Sequence, residues 1–442
     1  MIHPHKTSRR AFLRAGLAGA FAAPFITRNL LAAPPSGRVR HASFGATGMA
    51  WADVTSIATH PAVDVVAIAE VDANRLGDVR KKFPNARIYE DYRVLLEKEK
   101  LDSVNVSTPD HMHAAMGMAA LHHGVNVYGQ KPLTHDLYET RQLTEFAHQK
   151  KRVTQMGIQI HSAREYKLAV ALVQAGAIGK VKEVHTWSSK EWGDNGAMPT
   201  GTDTVPSGFN WDLWLGVCAE RPFIGKGWYH PGNWRKRLDF GTGTFGDMGC
   251  HIFDPVFGAL ALTGPLSVRS EGATPNAHSW ATNAVIHYVF PPTPYTVASP
   301  IPITWYDGNR RPPAEIKALL EGKSLPDQGS ILIGTEGVMV IPHIANPILL
   351  PGAKYKDFKL PAIEGVNHWH QFVNAVRGED KTTAGFDYAG PLTESVLLGS
   401  VATRFPQTTL EWNVKKLHFT NVKEANQFVR RKYRHGWETA GL

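Results

Sequence analysis

The sequence predicts an α/β fold with an N-terminal doubly wound parallel sheet, followed by an α+β domain with a large mixed or antiparallel sheet. Short apolar runs alternate with helical stretches over residues 38–153, a pattern typical of βαβ units. The run 63–71 is almost continuously apolar, as in a buried parallel strand. Residues 181–187 and 284–290 instead alternate between apolar and polar, which favours a sheet with one covered face.

The elements of the first domain follow from these runs. Strands are expected at 38–44, 63–71, near Ile88, at 104–106 and at 125–128. A helix is expected at 73–83, where Leu76, Val79 and Phe83 recur at helical spacing. With 442 residues, the chain is long enough for two domains, or three at most.

A signal peptide for export is predicted at residues 1–33. Ser8-Arg9-Arg10-Ala11-Phe12-Leu13-Arg14 resembles the twin-arginine signal, and the apolar stretch 15–23 that follows is too short to span a membrane. The alternative is a disordered basic tail. A signal of this kind implies export of the folded protein to the periplasm by the twin-arginine machinery.

The charge and the cysteine content argue against two classes of function, nucleic-acid binding and metal binding by cysteine. The formal net charge is +9, and five of the basic residues precede the expected cleavage point near residue 33, so +4 remains after cleavage. The remaining basic residues are scattered, which argues against nucleic-acid binding. Cys218 and Cys250 are the only cysteines, and their separation leaves open whether they pair. They fall in no metal-ligand spacing, so no metal site is predicted.

A glycine turn after the first strand is a candidate nucleotide site. Gly45 begins it, Thr47 takes the second glycine position of a dinucleotide fingerprint, and Gly48 and Met49 lead into a helix. Glu70 lies at the end of the second strand, at the spacing expected for an acid that binds ribose hydroxyls. The alternative is an ordinary strand-to-helix turn.

Two more turns follow later strands and should reach the same sheet edge, where ligands bind in open α/β folds. One carries Ser107, Thr108, Pro109, His111 and His113. His111 and His113 are two residues apart and do not share a helix face, so joint metal chelation is not expected.

The other turn ends in Gln130-Lys131-Pro132. Because proline has no N–H and restricts the residue before it, the strand must stop there and leave Lys131 at the sheet edge. A solvated surface lysine is the alternative.

Together, the glycine turn, Glu70, Ser107-Thr-Pro-Asp-His111 and Gly129-Gln-Lys-Pro-Leu133 resemble the Gfo/Idh/MocA family, which includes glucose–fructose oxidoreductase and inositol dehydrogenase. The resemblance covers residues 38–410. It implies a Rossmann domain that binds NAD, with NADP as the alternative, and it also implies a carbohydrate substrate and a homo-oligomer. The family turn reads Glu-Lys-Pro, and Gln130 replaces its glutamate here. The cofactor residues that it implies are Gly45, Thr47, Gly48, Met49, Glu70, Ser107, Thr108, Pro109, His111, His113, Gln130 and Lys131.

The second domain should begin near residue 154, with a helix at 163–175 and a Gly- and Trp-rich segment at 192–246. A loop-rich segment of this length is usually functional. Its exposed aromatic rings would suit sugar faces, or they would pack a small core of their own. The expected substrate residues are Gln159, Trp211, Tyr229, Trp234, Arg235 and Asp254.

Asp247 and His251 follow this segment and would share one face of a helix. A capping Asp247 beside a buried His251 is the alternative. The resemblance implies that Lys131, Asp247 and His251 form the catalytic set. His251 would be the base, Asp247 would orient its ring or stabilise the imidazolium, and Lys131 would hydrogen-bond the hydroxyl and stabilise the developing alkoxide.

The sequence therefore predicts four segments: an export signal at 1–33, a Rossmann domain at 34–153, a substrate domain at 154–415 and a docking tail at 416–442. The expected activity is hydride transfer between a secondary alcohol of a sugar, glycoside or cyclitol and a tightly bound NAD(P). The alternatives are a redox-neutral glycosidase, lyase or epimerase, and a sugar-binding protein whose nucleotide site has decayed.

Overall fold

The computed structural model describes residues 37–442, so the predicted export signal lies outside the described residues. The first domain holds a six-stranded parallel sheet with the order β3-β2-β1-β4-β5-β6. This confirms the predicted doubly wound sheet. Its strands are β1 Val39–Phe44, β2 Val63–Ala69, β3 Arg87–Tyr89, β4 Ser103–Val106, β5 Asn126–Gly129 and β6 Thr154–Met156.

The central strands of this sheet are buried on both sides, because helices cover both of its faces. The predicted helix 73–83 is interrupted. Leu76 leaves the α region with φ −87° and ψ 0°, so a 3₁₀ turn at Ala73–Arg75 precedes a separate α-helix. The helices of the domain are Met49–Ile57, Gly77–Lys82, Tyr92–Lys98, Asp110–His122 and Leu137–Gln149.

The sheet extends one strand further than predicted. The short strand β6 pairs in parallel with β5, through Val127 with Thr154 and Gly129 with Met156. The predicted boundary at 153 therefore falls just before the last strand of the first sheet. A strand of three residues carries no periodicity that could have revealed it.

The second domain is organised around a nine-stranded mixed sheet with the order β13-β12-β11-β7-β10-β9-β8-β14-β15, as predicted. Only β7 and β10 pair in parallel, and the other neighbours are antiparallel. Its strands are β7 Val181–Ser188, β8 Ser267–Glu271, β9 Val285–Phe290, β10 Ile301–Asp307, β11 Gly329–Gly334, β12 Val338–Pro342, β13 Ile348–Leu350, β14 Thr409–Asn413 and β15 His418–Phe419.

The main hydrophobic core lies between one face of the nine-stranded sheet and its helices and continues into the first domain. The short helix Ala314–Ala318 packs on the other face, where Ile316 joins a separate cluster with Trp187 and Ile331. The long helix Phe386–Ala402 contacts both Leu137–Gln149 of the first domain and strand β8 of the second. It therefore joins the two domains. The α-helices of the second domain are Arg164–Gln174, Trp211–Leu215, Cys250–Ile252, Asp254–Leu260, Ala314–Ala318, His368–Val376 and Phe386–Ala402.

The C-terminal segment 416–442 packs on the rest of the same chain. After β15 and a 3₁₀ helix at Lys423–Phe428, it crosses to the first domain. There the ring Nε2 of His122 lies 2.9 Å from the carbonyl oxygen of Ala440.

Three further features concern the residues described. No helix in 37–442 is long and apolar enough to cross a membrane. Across the same residues, no group of three or more His, Cys, Asp or Glu side chains is arranged to hold a metal ion. Cys218 and Cys250 are both buried and unpaired, and they belong to different hydrophobic clusters.

Arg141 and Glu394 connect the two domains, with Arg141 Nε 2.7 Å and Nη2 2.8 Å from the two Glu394 carboxylate oxygens. Because Glu394 is buried, Arg141→Met should leave an uncompensated charge and lower the free energy of unfolding by about 3 kcal/mol. Lys81→Met is the matched control, because its ion pair with Asp78 is mostly exposed. Chemical denaturation measures both. Equal stabilities for the two variants would contradict this account of the domain junction.

Candidate active site

A cavity of about 470 Å³ opens at the carboxyl edge of the first sheet and is lined by residues of both domains. The predicted cofactor residues on its wall are Gly45, Thr47, Gly48, Met49, Glu70, Ser107, Thr108, Pro109, Gln130 and Lys131. From the second domain it is lined by Trp192, Trp234, Arg235 and Asp247, among others. The structure thus brings together most of the predicted nucleotide site with part of the predicted catalytic set.

The glycine turn presents a helix N-terminus to this cavity. Gly45 has φ +92°, and a Cβ there would lie 2.6 Å from the Ser107 carbonyl oxygen, so only glycine fits. Helix Met49–Ile57 starts after Gly48 without any side-chain cap. Its first N–H groups are therefore available to an anion such as a pyrophosphate. The residues present fit a dinucleotide, even with Thr47 in the second glycine position.

Glu70 is fixed in place at the end of β2. Its two carboxylate oxygens accept hydrogen bonds from the backbone N–H of Ala46 and of Asp72, each at 3.0 Å. Burial raises the pKa of Glu70, and the two N–H donors oppose that rise. Remaining lone pairs of the carboxylate can accept from ribose hydroxyls. Arg75 lines the same part of the cavity.

His111 and His113, predicted as cofactor residues in the turn after β4, do not line the cavity. The ring nitrogens of His113 each lie 2.8 Å from a carbonyl oxygen, one of Thr108 and one of Pro132, so His113 connects the two turns. His111 packs against the rings of Trp214 and Phe240, and burial lowers its pKa to about 3. Both histidines thus support the walls of the site from behind.

Lys131 and Asp247 form an ion pair between the two domains. Lys131 Nζ lies 2.7 Å from Asp247 Oδ1 and 2.9 Å from the Asp247 backbone oxygen. Both side chains are mostly buried, with 11% and 14% of their surface exposed. Two of the three ammonium hydrogens are thereby used, and the third remains for a ligand in the cavity.

Asp247 is surrounded by further donors. Trp192 Nε1 donates to its Oδ2 at 2.8 Å, and Arg235 Nε lies 3.4 Å from Oδ1. Burial alone would raise the pKa of Asp247, but the charges of Lys131 and Arg235 outweigh it and hold that pKa well below its usual range. Asp247 is therefore an anion at any pH at which the protein would work.

The expectation that Asp247 orients the His251 ring is not met. Both Asp247 oxygens are directed at other partners, and the buried Nδ1 of His251 has no hydrogen-bond partner among residues 37–442. The prediction assumed a regular α-helix, whereas Phe245–Gly249 forms a π-helical turn, which changes the side-chain directions. Burial lowers the pKa of His251 well below its ordinary value, and Lys131 adds to this. His251 does not line the cavity.

Gln130 is paired with a buried acid. Its Nε2 donates to Asp53 Oδ2 at 2.8 Å, and the same oxygen accepts from Ser107 Oγ at 2.8 Å. The other Asp53 oxygen accepts from Trp369 Nε1 at 2.9 Å. A carboxylate is therefore present behind the Lys131 turn, but at position 53 rather than 130.

The predicted substrate residues divide into two groups. Trp234 and Arg235 line the cavity, and the Arg235 guanidinium lies 4.3 Å from the Trp234 ring centre. The others do not line it. Trp211 stacks on Trp214 and Tyr229 is fully buried, so these rings pack the core of the 192–246 segment. The predicted residues outside the cavity are Gln159, Trp211, Tyr229 and Asp254.

Asp254 has a structural role instead of a place in the cavity. Its Oδ1 accepts from Tyr388 Oη at 2.6 Å and lies 2.8 Å from His161 Nδ1. Gln159 is near this region of the chain but its Nε2 has no partner among the residues described. Neither side chain reaches the ion pair of Lys131.

Sequence reasoning missed several cavity residues. Trp192 is the first residue of the segment 192–246, and the tryptophan content of that segment was the signal that could have pointed to it. Tyr92 follows β3, as Glu70 follows β2, so its position at the sheet edge could have been inferred. No local pattern marked Met116 or Trp437, which reach the cavity through tertiary packing.

Comparison with known proteins supports the fold and the family. The family model described as the Gfo/Idh/MocA oxidoreductase family with an NAD-binding Rossmann fold matches residues 39–158. The model of the family's C-terminal α/β domain matches residues 171–293. Together the two matches cover more than half of the chain.

Named relatives match this chain over part of its length. Levoglucosan dehydrogenase of Pseudarthrobacter phenanthrenivorans is 23% identical over 28% of this chain and 32% of its own length. Inositol 2-dehydrogenase of Salmonella typhimurium is 29% identical over 28% of this chain and 37% of its own length. The chain thus spans only about a third of the curated relatives that it matches.

Among solved structures, the WlbA dehydrogenase of Bordetella pertussis, in complex with NADH and UDP-GlcNAcA, superposes with a TM-score of 0.62 at 13% identity. The match covers 85% of this chain and 98% of that one, and at this identity it shows the fold alone. The family models, the two-domain fold and the glycine turn agree, and the chain belongs to the Gfo/Idh/MocA family of NAD-binding oxidoreductases.

Proposed function

We propose that this protein is an NAD-dependent oxidoreductase that acts on a secondary alcohol of a sugar or cyclitol. The observation that carries the proposal is the Lys131–Asp247 ion pair, because it lies in the same cavity as the glycine turn and Glu70. The names of the relatives, levoglucosan dehydrogenase and inositol 2-dehydrogenase, support the substrate class.

Lys131 is the residue that would bind the reacting oxygen. Its ammonium group already donates to the carboxylate and the backbone oxygen of Asp247, and its third hydrogen can donate to a substrate hydroxyl. As the hydroxyl loses its proton, the positive charge in a mostly buried site stabilises the alkoxide. When bound, NAD supplies the acceptor for the hydride of the carbinol carbon. Asp247 keeps the lysine head in position.

His251 remains our proposal for the base. Its Nδ1 is a buried nitrogen without a partner, which is costly unless a substrate or water pairs with it. Because burial lowers its pKa, the ring is in the neutral form that a base requires, and the same burial makes it a weaker base than a solvated histidine. Its position behind the cavity wall means that the proton would pass through an intervening hydroxyl or water.

The walls of the cavity near this pair suit a polyol. The indoles of Trp192 and Trp234 offer apolar faces, and the guanidinium of Arg235 lies against both rings, at 5.4 and 4.3 Å from their centres. Indole faces pack on the C–H faces of a sugar ring, while Arg235 can donate to its hydroxyls.

We further propose that the protein is exported folded, with its cofactor already bound. The twin-arginine motif at Ser8–Arg14 is the support for this. Free NAD is not expected outside the cytoplasm, so the cofactor would have to be retained and regenerated, either by a second substrate or by a redox-neutral cycle on one sugar.

Lys131→Met should lower turnover about a hundredfold or more, because it removes the donor to the developing alkoxide. The protein is mixed with a panel of sugars and cyclitols, and the absorbance of reduced nicotinamide is followed. Bound nucleotide should stay near the unchanged level. The control is Lys150→Met, which removes an exposed lysine that does not line the cavity. Normal turnover in Lys131→Met, on any substrate that reduces the cofactor, contradicts the proposal.

Glu70→Gln should weaken discrimination between NAD and NADP. In the unchanged protein the carboxylate repels a 2′-phosphate, so NAD should bind more tightly. With the charge removed, Arg75 on the same wall can attract the phosphate, and the NADP affinity should rise about tenfold or more. Titration of both nucleotides measures this. The assignment of Glu70 fails if the unchanged protein binds NADP as tightly as NAD.

A further inference from the structure

The order of the strands indicates which end of the cavity would hold the adenine half of a dinucleotide. Lys131 follows β5, whereas Tyr92 begins the helix after β3 and its ring centre lies 5.6 Å from that of Phe44 at the end of β1. Two strand spacings separate β1 from β5, which is about 10 Å. Glu70, at the end of strand β2 on the other side of β1 from β5, marks the side that takes the adenosine ribose in a dinucleotide fold. The adenine end of the cavity is therefore the end beside Tyr92.

That end of the cavity is closed by the C-terminal tail. Trp437, which five further residues follow, lines the cavity together with Tyr92 and Met116. Only 8% of its surface is exposed, although it belongs to a terminal segment. The guanidinium of Arg93, the neighbour of Tyr92, lies 4.2 Å from the centre of the Trp437 ring.

The tail that carries Trp437 is anchored to both domains. Arg434 donates from its backbone N–H to the Val217 oxygen at 2.9 Å and from Nε to the Gly216 oxygen at 3.0 Å. It also forms an ion pair with Asp212. Beyond Trp437, the Ala440 carbonyl meets His122 on helix Asp110–His122. The indole is thus held between an anchor on the second domain and one on the first.

We propose that Trp437 forms the wall of the adenine site and that residues 430–442, the last part of the tail, hold the bound nucleotide in the cavity. The inference rests on the proposed function for the identity of the nucleotide. An indole offers a large flat apolar face at little cost in side-chain entropy, and a purine base stacks on such a face. For the nucleotide to leave past this wall, the tail must first detach from at least one anchor.

The experiment measures nucleotide release and fragment binding, so it needs no turnover. Protein carrying NAD is diluted into excess ADP-ribose, and the nucleotide that remains bound is measured over time after desalting. Trp437→Ala should release NAD about tenfold faster or more, the effect expected from the loss of one base–aromatic stack. Trp437→Phe should largely restore retention. Arg434→Ala should also speed release, because it removes the side-chain contacts of the tail with Gly216 and Asp212 and the guanidinium that lies 5.3 Å from the centre of the Trp437 ring.

Fragment binding tests which half of the nucleotide Trp437 contacts. Trp437→Ala should weaken ADP-ribose binding and leave nicotinamide mononucleotide binding unchanged. His435→Ala is the matched control, since His435 is in the same tail but fully exposed, and it should behave as the unchanged protein.

Three results would overturn the inference. The first is release from Trp437→Ala at the unchanged rate, and the second is equal weakening of both fragments. The third is loss of folded protein in Trp437→Ala together with unchanged release from Arg434→Ala. If the unchanged protein binds no NAD at all, the proposed function falls as well, which separates the two failures.

Discussion

The ion pair between Lys131 and Asp247 is the interaction on which the site depends. Bringing two charges into a mostly buried position costs desolvation energy, which is recovered only if the geometry is good and the remaining donors and acceptors are satisfied. Here Trp192, Arg235 and the Asp247 backbone oxygen complete the environment. Because one partner comes from each domain, the pair forms only when the domains pack as they do, and the cavity between them has a charged centre at one end.

The first domain supports this pair through a set of buried hydrogen bonds. Asp53 accepts from Gln130 and Ser107, which belong to two different turns, and from Trp369 of the second domain. His113 lies between carbonyl oxygens of the same two turns. The replacement of glutamate by Gln130 therefore leaves a carboxylate close to the turn, and the amide is suited to donate to it. The hydrogen bonds that join the Ser107 and Lys131 turns to Asp53 are complete, which argues against a decayed nucleotide site.

The parts of the fold that were predictable are those with local causes. Strands such as Val63–Ala69 and the turn at Lys131-Pro132 follow from apolar runs and from the backbone limits of proline and glycine. Glu70 was found because its spacing from the glycine turn is fixed by one βα unit. These residues meet at one sheet edge because parallel strands bring their carboxyl ends together, which requires no knowledge of distant contacts.

The residues that were not predictable reach the site through long-range packing. Trp437 is more than 300 residues from Tyr92 in sequence, and nothing nearby in the chain marks it as part of a cavity. Nothing in the sequence separates Trp234 from Trp211 and Tyr229, yet all three rings belong to one local core and, of the three, Trp234 alone also lines the cavity. The direction of Asp247 depended on a π-helical turn, which helical periodicity does not reveal.

The central claim is that the nicotinamide half of a bound dinucleotide lies beside the Lys131–Asp247 pair. The most direct measurement is an experimental structure of the protein with NAD bound. We expect the pyrophosphate at the N-terminus of helix Met49–Ile57, the adenosine ribose at Glu70 and the nicotinamide ring beside Lys131 Nζ. A nucleotide bound in the opposite direction, or one whose nicotinamide lies away from Lys131, would contradict the account.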